Sequence, residues 1–570
     1  MSHHATGRIV TVTRREALKS SAAATAALLL AACGGAARPP ATTGNAPAAS
    51  PAPASTTGGG TGAGVPTTVM GAGAGTATGA AMMPAGAAGQ PKRGGTLRVA
   101  QASAVVPFEF QQLGPHSTFI LLNVFDTLVR YDDKLQPQPR LAESWQWNPD
   151  NTVLTVKLRR GVTYHTGREF TSADVRFNFE RVKDPKVASQ FRGNVMQIKE
   201  IAAPDPVTVV FTFEKPYLPI FDVLTRLVML DAMTAADLEG AKQVVGTGPF
   251  KWGENVPGNK LTLVLNDKYW QICKPYLDRV EMQIIEDKQS MVLGVESGQR
   301  EVAWQVGLQD LARLRNGTQV RAEITTTGSQ FLYLGVNVAG DVVKDKRVRQ
   351  ALNAAIDRKR IVDTLVFGLA EPTALPWPKN SPAYSADLDR GVTFDLQKAK
   401  QLMQAAGVPA GTTFTVGANT QDPNNGKIAQ VIQADLAKID VKMEIQNIEN
   451  SVFQQSLSDG KFGQLYANNM GNSNLIPVSF FLTAFPVRVT GNASKYMSPE
   501  YTDLVGKMQT ETETAKLKPL YESVNKLLLD ESFNMPYCQS PQGWVLQRSV
   551  KNFAYDNGNF VILEDAWLDK

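Results

Sequence analysis

Nucleophilic, metal-binding and general-base chemistry all draw on a short list of side chains, and this chain is poor in them. It carries four histidines and three cysteines in 570 residues. His3 and His4 stand at the extreme amino terminus, so a Ser–His–Asp or Cys–His arrangement further on would have to use His116 or His165. His165 closes an alternating stretch, Gly161-Val162-Thr163-Tyr164-His165-Thr166-Gly167, where a structural role is expected. No cysteine or histidine group has zinc spacing, and there is no P-loop, dinucleotide fingerprint or Gly-x-Ser-x-Gly elbow. No spacing among the 53 acidic residues singles out a glycosidase pair. Neither a metal nor a cofactor is therefore expected. What remains is amide chemistry. Asn468-Asn469-Met470-Gly471-Asn472-Ser473-Asn474 is rich in side-chain amides and carries no charge. Amides both donate and accept, which suits neutral polar ligands or peptide backbone. An ordinary Asn/Gly turn has the same composition.

The elements that would hold this segment follow from periodicity. A strand is predicted over 413–416, a helix lined by Ile428, Val431, Ile432, Leu436 and Ile439, and a second strand through Val441, Met443 and Ile445. Strand–helix–strand implies a parallel pair with a right-handed crossover. Ligands of open α/β sheets sit at the carboxyl ends of the strands, which puts two loops at a mouth, 418–425 and Glu449 onward. A further strand over 464–467 feeds Asn468. Elsewhere 95–100 and 208–213 read as strands and 152–158 as a half-buried one. Thr171 and Asp174 make a capping box ahead of Val175, Phe179 and Val182. Val348, Ala351, Leu352, Ala355, Ile356 and Val362 predict one long amphipathic helix. Asp395 caps another, buried through Ala399, Leu402, Met403 and Ala406 and stopped by Gly407.

The amino terminus indicates where the chain works. Thr13-Arg14-Arg15-Glu16-Ala17-Leu18-Lys19 is a charged head, and the uncharged run 21–32 ends at Leu30-Ala31-Ala32-Cys33. That run is too short for a spanning helix, which needs about 20 residues. A short apolar core behind a basic head is an export signal. The cysteine after Leu-Ala-Ala resembles a bacterial lipobox, which implies cleavage before Cys33 and acylation of its thiol. Thr-Arg-Arg-x-x-Leu-Lys resembles a twin-arginine signal, and the general secretory route stays open beside it. From Gly34 to Pro91 the chain is almost entirely Gly, Ala, Pro, Thr and Ser, with Arg38 its only charge. Such a composition cannot bury enough surface to offset chain entropy and predicts a disordered tether with an r.m.s. span of roughly 40 Å.

The remainder is globular: the chain is 43% hydrophobic and 8% aromatic, and its size calls for two or three domains. The formal charge is +5, of which residues 1–32 carry +3 (Arg8, Arg14, Arg15 and Lys19 against Glu16), leaving about +2 for the mature chain. That is no footprint for nucleic acid.

At this point several blocks, in order, resemble one family. They are Leu141-Ala142-Glu143-Ser144-Trp145; Val156-Lys157-Leu158-Arg159-Arg160-Gly161-Val162; and His165-Thr166-Gly167-Arg168-Glu169-Phe170-Thr171-Ser172-Ala173-Asp174-Val175. Gly246-Thr247-Gly248-Pro249-Phe250, the stretch 266–270, Leu334-Gly335-Val336-Asn337 and Arg347-Val348-Arg349-Gln350-Ala351-Leu352 with Ala355-Ile356-Asp357 follow. Together they are similar to the family-5 extracellular solute-binding proteins, the peptide, nickel and oligosaccharide receptors of ABC importers. The resemblance implies a two-lobed periplasmic-binding-protein-like α/β fold, hinged around a ligand cleft, with an extra domain inserted in the first lobe. It divides the chain into an export signal at 1–32, a lipidated tether at 33–93, lobe I at 94–125, 236–325 and 535–570, an inserted domain at 126–235, and lobe II at 326–534. It implies a monomer that closes on its ligand and is read by a membrane permease. It places Cys273 and Cys538 together in lobe I, where a disulfide and two buried free thiols are both open.

Ligand identity is less determined. In peptide-binding relatives an aspartate in a Gly-Trp-x-x-Asp-like segment pairs with the ligand's terminal amine. The matching stretch here, Gly471-Asn472-Ser473-Asn474-Leu475-Ile476-Pro477, has no aspartate and has Asn472 in place of Trp, so a buried ammonium would lack its counter-charge there. An oligopeptide is the first expectation and an oligosaccharide or another neutral organic solute the second; a secreted hydrolase is the alternative of another class. Candidate ligand contacts are the amide segment (Asn468, Met470, Gly471, Asn472 and Asn474), Asn337, and the aromatics Phe108, Phe110, Trp304, Tyr333 and Trp377, for each of which core or hinge packing is the more expected role.

Two or more acyl chains give stable membrane attachment where one is marginal. Cys33→Ala is therefore expected to release the protein from membranes on cell fractionation. A variant that stays membrane-bound after a high-salt wash would remove the lipoprotein reading.

Overall fold

Leu97 and Val99, both fully buried, fix the inner face of β1 (Thr96–Gln101), from which the first large sheet grows. A computed structural model describes residues 90–104, 110–111, 117–238, 243–326, 330–471 and 476–570. The expected export signal and all but the last residues of the tether lie outside them, as do Cys33, Phe108, His116, Asn472 and Asn474. Among the described residues no helix is long and apolar enough to cross a membrane.

After β1 the chain leaves the first sheet. β2 (Val129–Tyr131) and β3 (Pro137–Pro139) pair as a hairpin. Then β4 (Ala142–Trp147), β5 (Val153–Leu158), β6 (Ile198–Asp205) and β7 (Thr208–Phe213) form an antiparallel sheet in the order β4-β5-β7-β6. Helix Ser172–Lys183 lies on it, started by the expected capping box of Thr171 and Asp174. Its Val175, Phe179 and Val182 are fully buried, and Phe179 meets Phe211 of β7 at 4.9 Å. Each such side chain contributes roughly 1.5–3 kcal/mol. The chain returns for β8 (Phe250–Val256), β9 (Lys260–Leu265), β10 (Arg279–Ile284), β11 (Val302–Trp304) and β12 (Val320–Thr325). It crosses to a second large sheet for β13 (Phe331–Val336), β14 (Thr413–Asn419), β15 (Lys442–Ile448), β16 (Leu465–Met470) and β17 (Asn534–Gln539), and comes back for β18 (Gln542–Gln547). The first sheet runs β12-β18-β11-β1-β10-β9-β8 and the second β15-β14-β16-β13-β17. Each sheet has its own hydrophobic core. This is a two-lobed α/β fold with an inserted antiparallel sheet.

The two crossings lie side by side. Thr325 pairs with Gln542 in the first sheet and Phe331 with Gln539 in the second. Between them the Ser540 amide donates to the Gln330 carbonyl at 2.9 Å. The chain thus changes sheets at 540–541, after the whole of β17; a return at 535 would cut that strand. Cys538 on β17 consequently belongs to the second sheet, not to the first lobe, and is fully buried, whereas Cys273 is exposed. Both are free, so no disulfide joins them. Burial pushes the Cys538 thiol up to about 12.

The long helix expected through Val348 and Val362 is two helices, Lys346–Ala354 and Arg358–Leu365. Asp357 restarts the second by accepting from the Arg360 amide at 3.0 Å. Arg358 is buried, donating to the carbonyls of Pro536 at 2.8 Å and Thr373 at 3.2 Å. A continuous helix would have kept apolar periodicity but lost this cap.

A buried ion network joins the inserted sheet to the first lobe. Arg140, just ahead of β4, meets Asp126 at 2.8 Å and Glu564 at 2.8 Å, and Arg130 of β2 meets Glu564 at 3.1 Å. Thr247 and the Trp270 indole donate to the second Asp126 oxygen at 3.1 and 3.0 Å. Burial alone would push the Glu564 carboxyl up, but Arg140 and Arg130 outweigh it and hold it well below the usual range. Nearby, His165 accepts from the Gly246 amide at 3.3 Å through Nδ1 and donates to the Gly248 carbonyl at 3.1 Å through Nε2. Burial pulls its pKa down to about 4, so it is a neutral structural clamp at pH 7. The Val124 carbonyl oxygen would lie 2.0 Å from a Cβ at Gly246 and 2.7 Å from one at Gly248, which is why this block carries glycines.

Arg140→Met would leave Asp126 and Glu564 buried without their cation. The expected cost is about 3–5 kcal/mol in urea unfolding. A loss below about 1 kcal/mol would mean the network behaves as a solvated surface cluster.

Candidate functional site

β14 and β15 are parallel, Thr413 opposite Lys442 through Asn419 opposite Ile448, with helix Pro423–Ala437 as the crossover. β16 lies parallel on the other flank of β14. All three strands therefore present their carboxyl ends at the same edge of the second sheet, where open α/β sheets place ligands. β13 is antiparallel to β16, so its start, Phe331, reaches the same edge beside Met470.

That edge is built from amides. Asn419, which ends β14, donates from Nδ2 to Asn450 Oδ1 and Asn468 Oδ1, both at 3.1 Å. Its own Oδ1 accepts from the Gln421 amide at 2.9 Å, and its carbonyl accepts from Asn425 Nδ2 at 3.1 Å. On the neighbouring position Asn469 Nδ2 donates to Gln330 Oε1 at 3.1 Å. Gln330 also belongs to the first crossing, so the amide edge and the sheet-to-sheet crossing share a residue. The two carboxylates in the mouth loops are spent on helix starts. Asp422 accepts from the Asn424 amide at 2.9 Å and Glu449 from the Ser451 amide at 2.8 Å. Burial raises the Asp422 pKa, and the Ser451 bonds lower that of Glu449. The edge therefore offers uncharged donors and acceptors already held in place, suited to the amides and carbonyls of a neutral polar solute.

The residues expected to touch ligand fall into distinct places. Asn468 is buried within β16, opposite Tyr333 in register, because that strand runs to Met470 rather than stopping at 467. It is part of the amide edge, not of a turn. Met470 and Gly471 follow at the rim and are half-buried. Asn472, Asn474 and Phe108 lie outside the described residues. Asn337 clamps a turn, donating to the carbonyls of Phe462 at 2.9 Å and Gly463 at 3.2 Å. Trp377 is buried against Phe480 and Phe481 with its indole N–H on Asn525 at 2.8 Å. Phe110 is buried against Phe125 at 5.0 Å. Tyr333 is wholly buried beside Tyr466, and burial raises its pKa well above the usual range. Trp304, at the carboxyl end of β11, is 8% exposed and packs on Phe119. The aromatics thus serve the cores on either side of the crossing. Asn419, Asn450 and Gln330 were not singled out from sequence; Asn419 lay within the 418–425 loop that strand order had already put at the mouth.

A cavity of about 600 Å³ is bounded by β8 and by His165, Thr166 and Gln243, and contains none of the amide edge. Among the described residues no group of three or more His, Cys, Asp and Glu is arranged to hold a metal ion.

Residues 136–489 match the bacterial extracellular solute-binding proteins, family 5 Middle. A putative ABC transporter peptide-binding protein of Brucella ovis is 27% identical over 433 residues, covering 71% of this chain and 80% of that protein. Among solved structures, the periplasmic binding protein DppA of Helicobacter pylori in complex with the peptide STSA is 25% identical with a TM-score of 0.69, over 84% of this chain and 99% of that one. AgaA from A. tumefacien R10, in complex with agropinic acid, is 25% identical with a TM-score of 0.70, over 84% and 99%. The matched segment spans more than half of the chain and carries the sheets that form the amide edge; the chain belongs to family 5 of the bacterial extracellular solute-binding proteins.

Proposed function

We propose that this protein captures a short peptide between its two lobes and hands it to an ABC permease without altering it. The observation that carries the reading is the uncharged amide edge at the carboxyl ends of β14, β15 and β16, beside the crossing on which the lobes turn. Peptide backbone offers the complementary groups, one donor and one acceptor at each non-proline residue. Ligand that touches both lobes binds the closed arrangement better and shifts the population toward it. The Brucella relative's name and the peptide bound to the Helicobacter protein support a peptide as the solute.

The working division is lobe I over 94–125, 236–325 and 541–570, an inserted domain over 126–235, and lobe II over 326–540. Cys33 anchors a monomer to the outer face of the cytoplasmic membrane, and the tether lets the body reach its permease. Phe108, Met470, Gly471, Asn472 and Asn474 are the contacts we assign to the ligand, with Asn468 beside Met470 on β16.

A second reading is a small neutral organic solute. It is favoured by the absence of an aspartate from 471–477 and by the agropinic acid bound to AgaA.

Mass spectrometry of solute released on denaturing protein purified from its own cells separates these readings. A set of short peptides is expected; one non-peptide compound would favour the second reading, and turnover of the recovered solute by fresh protein would overturn both. With that solute in hand, Asn472→Ala or Asn474→Ala is expected to weaken calorimetric binding by about 5- to 150-fold, since an unsatisfied partner costs about 1–3 kcal/mol. Thermal melts should barely change. Unaltered affinity in both variants would leave the segment as an ordinary turn.

A further inference from the structure

Asp222 is a buried acid that the binding reading does not use. It lies in helix Ile220–Arg226 of the inserted domain and is 1% exposed. One oxygen accepts from the Tyr131 hydroxyl of β2 at 2.9 Å. The other two donors come from the second lobe: the Ile476 amide at 3.2 Å and the Ser479 hydroxyl of helix Pro477–Thr483. Leu218 and Ile476 pack against the cores of both the inserted domain and the second lobe, so the joint around the carboxylate is dry.

The inserted domain is fastened to the first lobe by Arg140, Arg130 and Glu564, and by Arg226 with Asp556 at 2.5 Å. The second lobe is continuous with the first where the chain crosses after β12 and after β17, and it also meets the first lobe through Asn380 with Asn557 at 3.2 Å and through Leu369 in a first-lobe core. On the hinge-closure reading, parting the lobes pulls Ser479 and Ile476 away from Asp222, because those two donors sit on the second lobe. The carboxylate is met by second-lobe donors when the lobes are together and by water when they part.

We infer that Asp222 is a clasp between the lobes and that its protonation sets how firmly they close. This rests on the hinge-closure reading above. The other titratable and charged groups facing it are Tyr131 of β2, Tyr217 ahead of its own helix, Arg226 at the end of that helix, Tyr521 of helix Thr514–Glu531, and Asp556 beyond Arg226. Burial raises all three tyrosines, which stay neutral from pH 4 to 8. The Arg226 guanidinium is engaged by Asp556. No cation bonds Asp222 directly; burial outweighs its hydrogen bonds and the nearby Arg226 charge and pushes its carboxyl up to about 6. Parted from Ser479 and Ile476, it would return towards the ordinary value of about 3.9. Closing therefore takes up a proton between about pH 4 and 6, and closure strengthens as pH falls. Once protonated, Asp222 can donate to Ser479 Oγ while still accepting from Ile476 and Tyr131.

The test is a spin-label distance across the lobes of the solute-free chain. Labels go on the exposed Cys273 and on Gln404→Cys, which lies on an exposed face of helix Leu396–Ala405, in a Cys33→Ser background. The buried Cys538 stays unlabelled. Two distances are expected, with the closed-to-open ratio rising about tenfold from pH 7 to pH 5. In Asp222→Asn the ratio should be flat with pH. Ser479→Ala, which leaves the acid in place, should lower the ratio at both pH values. Equal pH responses in Asp222→Asn and the parent would overturn the clasp while leaving hinge closure standing. A single distance that neither pH nor released solute changes would overturn both.

Discussion

Everything in this molecule turns on one antiparallel ribbon. β12 and β18 pair in the first sheet, β13 and β17 pair in the second, and between them the chain is held by the Ser540–Gln330 bond. The ladder of the first sheet ends at Thr325 and Gln542, and that of the second begins at Phe331 and Gln539. The two sheets have their own main cores, with Leu369 and Leu308 packed where the two sides meet. The constraint also fixes where a ligand can be felt by both lobes, because the amide edge reaches the crossing through Gln330.

Charge and amide chemistry are separated accordingly. Full charges are buried where parts are fastened: Arg140 and Asp126 of the inserted domain with Glu564 of the first lobe, and Arg349 with Glu531 at 2.6 Å in the second. Such pairs are costly to break one partner at a time. At the carboxyl edge of the second sheet the polar groups are neutral, and the nearby carboxylates are used as helix caps. Neutral donors and acceptors can exchange protein partners or water for solute at small desolvation cost, which suits a site that must release what it binds. Asp222 is the exception, a buried acid that joins the inserted domain to the second lobe through neutral donors.

Much of this was legible in the sequence. The strand–helix–strand unit over 413–448 followed from periodicity, and with it the edge at which ligand would sit. The capping box at Thr171 and the helix stop at Gly407, which adopts φ +72°, were local signals with local causes. What could not be read depended on partners far along the chain. Trp377 and Tyr333 looked available because an aromatic's type does not say which core it fills. Asn468 looked like part of a turn because a strand of side-chain amides, bonded to Asn419 49 residues earlier, has no apolar alternation to mark it. The break at Asp357 was hidden because apolar spacing continued across it. Cys538 was assigned to the wrong lobe because the crossing comes after β17, and only strand pairing reveals that.

On the proposed function, a solute draws the two lobes together by bending this ribbon. Small-angle X-ray scattering on the protein stripped of bound solute, and again after the recovered solute is returned, addresses it most directly. A smaller radius of gyration with solute is expected, saturating at one solute per chain. An unchanged radius at saturating solute would contradict it.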